Sequence, residues 1–292
     1  MNLANRLLDR VVNPPRLSDP DALRRAVSGK TVLVTGASFG LGESTARKLG
    51  AAGATVLLVA RTASKLDDVA ASINAAGGHA MTYAADLTDE VAVAELAKLI
   101  TEEHGALDII VNNAGKSIRR SLELQYDRPQ DFQRTIDINY LGPIRLLLAL
   151  IPPMRDNGGG HIINVSTVGV RIAPGPRWGA YQASKGAFDT WLRSVSPELR
   201  TDGIAVSSLY MALIYTRMSA PTPIMRKLPG LHPDDAADIV VKAIVERPRD
   251  VEPWWVWPAE VGSAVARGPL EVAMRLMYQF STDTASATGA GR

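Results

Sequence analysis

The chain contains no cysteine. That removes disulfides, thiolate metal sites and a cysteine nucleophile from consideration, and it gives no mark of an oxidising compartment. Net charge is also scarce. The 32 Lys and Arg against 30 Asp and Glu leave +2, so nothing favours a nucleic acid or another polyanion as partner. Long apolar runs are missing from the reading as well. Arg6, Asp9 and Arg10 interrupt the N-terminus before a signal-peptide core of about 7–15 apolar residues forms. No stretch reads as the roughly 20 apolar residues of a spanning helix. The cytosol is the expected compartment, and no metal ligand set is expected.

What is present is an ordinary globular composition, 46% apolar and 21% charged over 292 residues. Residues 1–29 read as an N-terminal extension, with Leu3, Leu7, Leu8, Val11 and Val12 at partial helical spacing before Asn13-Pro14-Pro15. From Lys30 onward short apolar runs at 31–35, 55–59, 80–84, 107–111, 161–165 and 204–209 alternate with helical stretches at 43–52, 66–76, 91–103, 131–151 and 180–200. Continuous apolar strands separated by helices predict a parallel sheet covered on both faces. The fold class is therefore α/β, a single Rossmann-type doubly wound domain over 30–250. The remaining 251–292 form a C-terminal extension. Trp254, Trp255 and Trp257 lead there into an apolar helical segment at 261–280, broken by Arg267, Glu271 and Arg275. That segment reads as packed on the domain or on another subunit, with a membrane-surface helix as the alternative. The small polar residues 281–292 are expected to be mobile.

The first strand runs into Gly36-Ala37-Ser38-Phe39-Gly40-Leu41-Gly42, and a helix follows. Glycines let the backbone turn sharply and approach a pyrophosphate, and the helix N-terminus offers free N–H groups to it. The G-x-x-x-G-x-G spacing differs from the G-x-G-x-x-G fingerprint, so its weight comes from its place between the first strand and first helix. The second strand ends at Arg61 with no acid there. A carboxylate would suit the ribose hydroxyl of NAD, whereas an arginine accommodates a 2′-phosphate; the expected cofactor is NADP(H), with Ser38 an added hydrogen-bonding group. Further on, Tyr181 and Lys185 stand at i and i+4, on one helix face. A phenol near pKa 10 is a poor acid–base at neutral pH, and a neighbouring ammonium is expected to lower it.

Gly36-x-x-x-Gly40-x-Gly42, Asn112-Asn113-Ala114-Gly115, Ser166-Thr167 and Tyr181-x-x-x-Lys185 occur in this order. As a set they resemble the short-chain dehydrogenase/reductase family over about 30–245. The resemblance implies a seven-stranded parallel sheet, Tyr181 as catalytic acid–base and Lys185 on the nicotinamide ribose. It also implies Asn139 as the holder of a proton-relay water, and a hydroxyl that orients the substrate carbonyl. Thr167 takes that hydroxyl position, with Ser166 kept as the alternate. The cofactor residues implied are the turn (Gly36, Ser38, Phe39, Gly40, Leu41, Gly42), Arg61, Asp86 and Leu87 by the adenine, and Asn113, Ala114 and Gly115. Tyr181, Lys185, Ala212, Ile214 and Thr216 complete the set, Ala212 standing where the family often has proline.

Longer stretches at 112–120 (NNAGKSIRR), 126–134 (YDRPQDFQR), 208–218 (SLYMALIYTRM) and 231–241 (LHPDDAADIVV) are similar to the bacterial fatty acyl-CoA reductase branch. That resemblance implies a carbonyl or alcohol substrate of apolar character and a homodimer or homotetramer, with peripheral membrane contact open. A secondary alcohol or ketone dehydrogenase is the alternative, and a non-catalytic NADP-binding protein a third. Arg119 and Arg120 face a phosphate-bearing carrier on one reading and stabilise the fold on another. Residues 211–231 read as a lid, in which Met211, Leu213, Met218, Ile224, Met225 and Leu228 either line an apolar substrate site or simply pack.

Overall fold

The computed structural model describes residues 12–172, 175–222, 225 and 228–288. Seven strands form one parallel sheet: β1 (Thr31–Thr35), β2 (Thr55–Ala60), β3 (His79–Ala84), β4 (Ile109–Asn112), β5 (Gly160–Thr167), β6 (Ile204–Met211) and β7 (Asp250–Val251), ordered β3-β2-β1-β4-β5-β6-β7. The six apolar runs are the first six strands. The seventh has only two residues, too few to leave a periodic trace. The chain builds outward from β1 to β3 and then returns beyond β1 to place β4. The order therefore reverses between β1 and β4, and a crevice opens there at the strands' carboxyl ends.

Alternate side chains of each strand enter different cores. Val32 and Val34 of β1 belong to one cluster with Leu41, Leu49, Val69 and Val240, whereas Leu33 belongs to another with Leu96, Ile110, Leu150 and Leu192. Each such burial is worth about 1.5–3 kcal/mol, and the period of two forces both faces to be covered. The first face carries α1 (Pro20–Val27), α2 (Gly40–Ala51), α3 (Ala63–Ala75) and α8 (Pro233–Glu246). The second carries α4 (Glu90–His104), α6 (Gly142–Asp156) and α7 (Gly179–Thr201).

The long helix expected at 131–151 is a composite. α5 (Gln130–Ile136) leads into a π-helical turn at Asp137–Leu141 and then into α6. By length and composition the whole run Pro129–Asp156 suffices to cross a membrane, contrary to the expectation that no such run exists. Its apolar residues Leu146, Leu147, Leu150 and Met154 instead fill the second core.

The N-terminal extension contributes α1, which the sequence pattern does not announce. Asp19 caps it by accepting from the Asp21 backbone N–H, with Pro at the first helical position. Leu3, Leu7, Leu8 and Val11 lie outside the described residues. The C-terminal apolar segment is two helices, α9 (Val256–Val265) and α10 (Arg267–Gln279), separated at Ala266. α10 buries none of its residues. Trp255 donates from Nε1 to the Val12 carbonyl at 2.9 Å, joining the two extensions. Of the residues expected to be mobile, 289–292 lie outside the described residues and the rest depart from that expectation. Residues 281–288 are docked on the body and end in a short α11 (Ala285–Thr288). Their polar groups are satisfied by arginines that composition alone does not pair with them.

Candidate active site

The crevice between β1 and β4 is closed by tight backbone contacts. Gly36 and Gly40 have φ of +67° and +61°, values that disfavour a side chain. A Cβ on Gly36 would lie 2.9 Å from Asn113 Nδ2, and one on Gly42 would lie 2.3 Å from the Gly36 carbonyl oxygen. Asn113 donates from Nδ2 to the Thr35 carbonyl at 2.9 Å, while Thr35 Oγ1 accepts from the backbone N–H of Asn113 and of Ala114, each at 3.0 Å. Thr35, buried at the end of β1, does not stand out in the sequence; a strand-end hydroxyl carries no periodic signal. α2 begins at Gly40 with no side-chain cap at Phe39. Among the described residues its first N–H groups have no side-chain partner at the crevice. Leu41 is buried in the first core and braces the turn rather than facing the crevice.

Thr216 lies over the turn, its Cγ2 3.3 Å from where a Gly40 Cβ would stand. Ile214 is held nearby by a bridge to Leu231. Arg61 and Asp86 stand on the adjacent ends of β2 and β3 with charged atoms 4.0 Å apart, Arg61 71% exposed. Asp86 accepts from the backbone N–H and the hydroxyl of Thr88. Leu87 is buried, and its carbonyl meets Gly142 so closely that a Cβ there would lie 2.2 Å from it. Arg217 places its guanidinium 5.4 Å from the Phe39 ring centre, a second cation by the turn that the motifs do not mark.

The residues expected to handle the proton converge one step further along the crevice. Tyr181 and Lys185 lie on α7, and Lys185 Nζ donates to the Val165 carbonyl at 3.0 Å. A Cβ on Gly115 would meet Asn139 Oδ1 at 2.9 Å and Lys185 Nζ at 3.3 Å, so these three groups share one spot. Asn139 is buried in the π-helical turn, a device frequent at functional sites. Its Oδ1 accepts from the Lys116 N–H at 2.9 Å, and its Nδ2 donates to the Lys116 carbonyl at 2.8 Å and to Ser184 Oγ at 2.9 Å. Ser184 stands inside the Tyr–Lys interval, at a position the motif leaves open.

Burial pushes the Tyr181 phenol up to about 12, and the Thr167 hydroxyl pulls it part of the way back. Lys185 is not among the groups that move it, which corrects the expectation that the ammonium lowers the phenol here. Burial brings Lys185 itself down to about 8. Of the two candidate hydroxyls, Thr167 is the one that acts on Tyr181. Ser166 points to the opposite face, as neighbours along a strand do, and its Oγ is buried without a hydrogen-bond partner among the described residues.

Two other expectations change. Arg120 is buried and paired with Asp131 at 2.8 Å, and it also donates to the Ala287 carbonyl. Arg119 donates to the Thr282 carbonyl at 3.0 Å. Both arginines are thus engaged by the C-terminal segment rather than turned toward a carrier phosphate. Met211 belongs to the first core rather than to a lid, whereas Met218 and Leu228 are exposed. Ile224 lies outside the described residues.

The crevice fits a nicotinamide dinucleotide. It has glycines that a Cβ would fill, free helix N–H groups and an exposed arginine at the second strand end, and the phenol and amine lie further along the same edge. The short chain dehydrogenase family model matches residues 30–227. An uncharacterized oxidoreductase of Mycobacterium tuberculosis is 44% identical over 270 residues, covering 91% of this chain and 79% of that protein. A fatty acyl-CoA reductase of Acinetobacter baylyi is 41% identical over 266 residues, covering 91% and 90%. Among solved structures, a metagenomic short-chain oxidoreductase in complex with NADP is 35% identical, with a TM-score of 0.67 over 77% of this chain and 97% of that one.

Proposed function

This chain belongs to the short-chain dehydrogenase family, and from that membership we propose that it is an NADP(H)-dependent reductase of long-chain acyl thioesters or fatty aldehydes. The observation that carries the oxidoreductase reading is the convergence of Thr167, Tyr181, Lys185 and Asn139 beside the glycine turn. The substrate branch is supported by the fatty acyl-CoA reductase that matches nearly end to end, together with the apolar exposure at Met218 and Leu228.

In this reading the turn from Gly36 to Gly42, with Ser38 and Phe39, holds the pyrophosphate. Arg61 takes the 2′-phosphate, Asp86 and Leu87 flank the adenine, and Asn113, Ala114 and Gly115 flank the ribose on that side. Ala212, Ile214 and Thr216 meet the nicotinamide amide. When bound, the cofactor supplies the hydride. The protein's own work is positioning and proton supply. Thr167 Oγ1 orients the substrate carbonyl toward the Tyr181 hydroxyl. Tyr181, kept protonated by burial, gives its proton to the carbonyl oxygen. With a thioester, the hemithioacetal so formed then breaks its C–S bond and releases the thiol and the aldehyde. Lys185, its Nζ held at the Val165 carbonyl beside Gly115, is the group that would hold the nicotinamide ribose. Asn139, clamped on Lys116, holds the water through which Tyr181 is reprotonated.

The proposal takes residues 30–250 as the catalytic domain with extensions on either side, working in the cytosol as a homodimer or homotetramer. The test is incubation of the purified protein with NADPH and, separately, decanal, decanoyl-CoA and a cyclic ketone. NADPH oxidation is expected with decanal or decanoyl-CoA. Tyr181→Phe is expected to lose about 10²–10⁴-fold in turnover while binding NADPH with unchanged affinity. Preference for the cyclic ketone would move the substrate class, and NADPH binding without turnover of any carbonyl would overturn the enzyme reading.

A further inference from the structure

Tyr181 is reached from β5 through a connection that ends at Gly175-Pro176-Arg177-Trp178, and the Trp178 ring packs 5.9 Å from that of Tyr181. A second wall leaves Gly115 through Lys116 and reaches Arg119, Arg120 and Ser121. One backbone bond ties the two, from the Arg120 N–H to the Arg177 carbonyl at 2.8 Å. Among the described residues the other ties come from the C-terminal segment. Asp283 Oδ1 accepts from the Ser121 backbone N–H at 2.9 Å, and Asp283 Oδ2 accepts from Arg177 Nε at 3.3 Å. Arg177 also donates to the Ser281 hydroxyl at 2.6 Å and the Ser281 carbonyl at 2.8 Å, and its guanidinium lies 4.3 Å from the Tyr278 ring centre.

Arg177 is one of two non-glycine residues with positive φ among the described residues, at 72°. A β-carbon disfavours that conformation, so surrounding contacts must hold it. Its side chain is 6% exposed and that of Asp283 14%, so the pair is shielded from the screening that weakens surface ion pairs. Arg171, at the start of the same connection, is held in parallel by Glu252 and Glu260, at 3.2 and 2.6 Å. The connection before Tyr181 is therefore pinned near both ends by carboxylates of the C-terminal extension. Between the walls lies a cleft of about 600 Å³, lined by Leu122, Glu123, Tyr126, Pro176, Arg177 and Tyr278.

We propose that Asp283 is a positioning residue whose carboxylate fixes the spacing of the two walls, and that the cleft so formed takes the apolar chain of the substrate beyond the reacting carbonyl. A single carboxylate bonded to both walls sets their separation together with the Arg120–Arg177 backbone bond. Leu122, Tyr126, Pro176 and Tyr278 of the cleft's lining supply the contact a hydrocarbon chain needs. This inference rests on the reductase reading for its substrate.

The test compares Asp283→Ala and Asp283→Asn with the unaltered chain, using decanal and propanal as substrates. KM for decanal is expected to rise about tenfold in Asp283→Ala. KM for propanal and the NADPH dissociation constant should stay within about twofold, since the short aldehyde does not reach the cleft. Equal changes for both aldehydes, or none, would overturn the proposal. Should Asp283→Ala fail to fold, the near-isosteric Asp283→Asn decides by the same chain-length comparison, with a smaller rise expected. Should the unaltered chain reduce neither aldehyde nor decanoyl-CoA, the reductase reading fails by itself. Amide hydrogen exchange at 119–121 and 175–178 then decides the positioning role, with at least tenfold faster exchange expected in the variant and unchanged exchange counting against it.

Discussion

Thr167 and Ser166 illustrate how much one step along a strand changes a side chain's chemistry. Both are hydroxyls at the end of β5, yet only Thr167 acts on Tyr181, while Ser166 is sealed without a partner among the described residues. Thr167→Ala is expected to lower kcat/KM by about 10²-fold. Ser166→Ala should leave kcat/KM within about twofold, because its hydroxyl bonds no reacting group; steady-state kinetics on the two variants reads the difference. Lys185 supports a pH prediction. Tyr181 stays protonated up to about 12, whereas Lys185 loses its proton near 8. The ammonium that would hold the nicotinamide ribose is therefore present below about pH 8 and absent above it. Reductive kcat/KM should be flat through neutrality and fall as pH rises past about 8, and Lys185→Met should be slow throughout and lack that inflection.

The elements that make the site are each interrupted where they meet it. The π-helical turn at Asp137–Leu141 breaks a helix that periodicity reads as continuous, and it carries Asn139 against Lys116. The turn between β1 and α2 works because nothing larger than hydrogen fits at Gly42. The obstacle there is the Gly36 carbonyl oxygen, 2.3 Å from where a Cβ would stand, and that is backbone with no freedom to move aside. Gly42→Ala should destabilise the protein by about 1–3 kcal/mol, the usual cost of overpacking. It should also weaken NADPH binding at least tenfold, as measured by thermal melts and by titration. Gly262, inside α9 where a Cβ would meet nothing within 4 Å, is the contrasting site: Gly262→Ala is expected to raise stability by about 0.5–1 kcal/mol and to leave NADPH binding unchanged.

At the scale of the whole molecule, the sheet interior holds a titratable group unconnected with catalysis. His161 at the start of β5 is fully buried, with Nε2 2.8 Å from Ser207 Oγ. Burial holds it neutral down to about pH 3. The unfolded chain takes up that proton near pH 6.5 and the folded one does not, so acid favours unfolding. Stability should be fully present above about pH 6.5 and fall by up to about 1.4 kcal/mol per pH unit between there and about pH 3. Denaturant unfolding at stepped pH should show this slope, and His161→Gln should lose it.

The sequence by itself determined the alternation of strands and helices, the single parallel sheet, the glycine turn and the Tyr181–Lys185 face, because each is a local pattern: period two, period 3.6, or glycine at a sharp bend. The family resemblance carried by those motifs extended that local reading to the seven-stranded sheet and the nicotinamide cofactor. Only the tertiary structure decided which hydroxyl meets Tyr181, that burial rather than the lysine sets its proton affinity, and that Asp283 joins the walls at Ser121 and Arg177. Those outcomes depend on which distant segments share a dielectric environment and a hydrogen bond. Asp283 lies 162 residues from Ser121 and 106 from Arg177 along the chain, and neither spacing nor composition records that proximity.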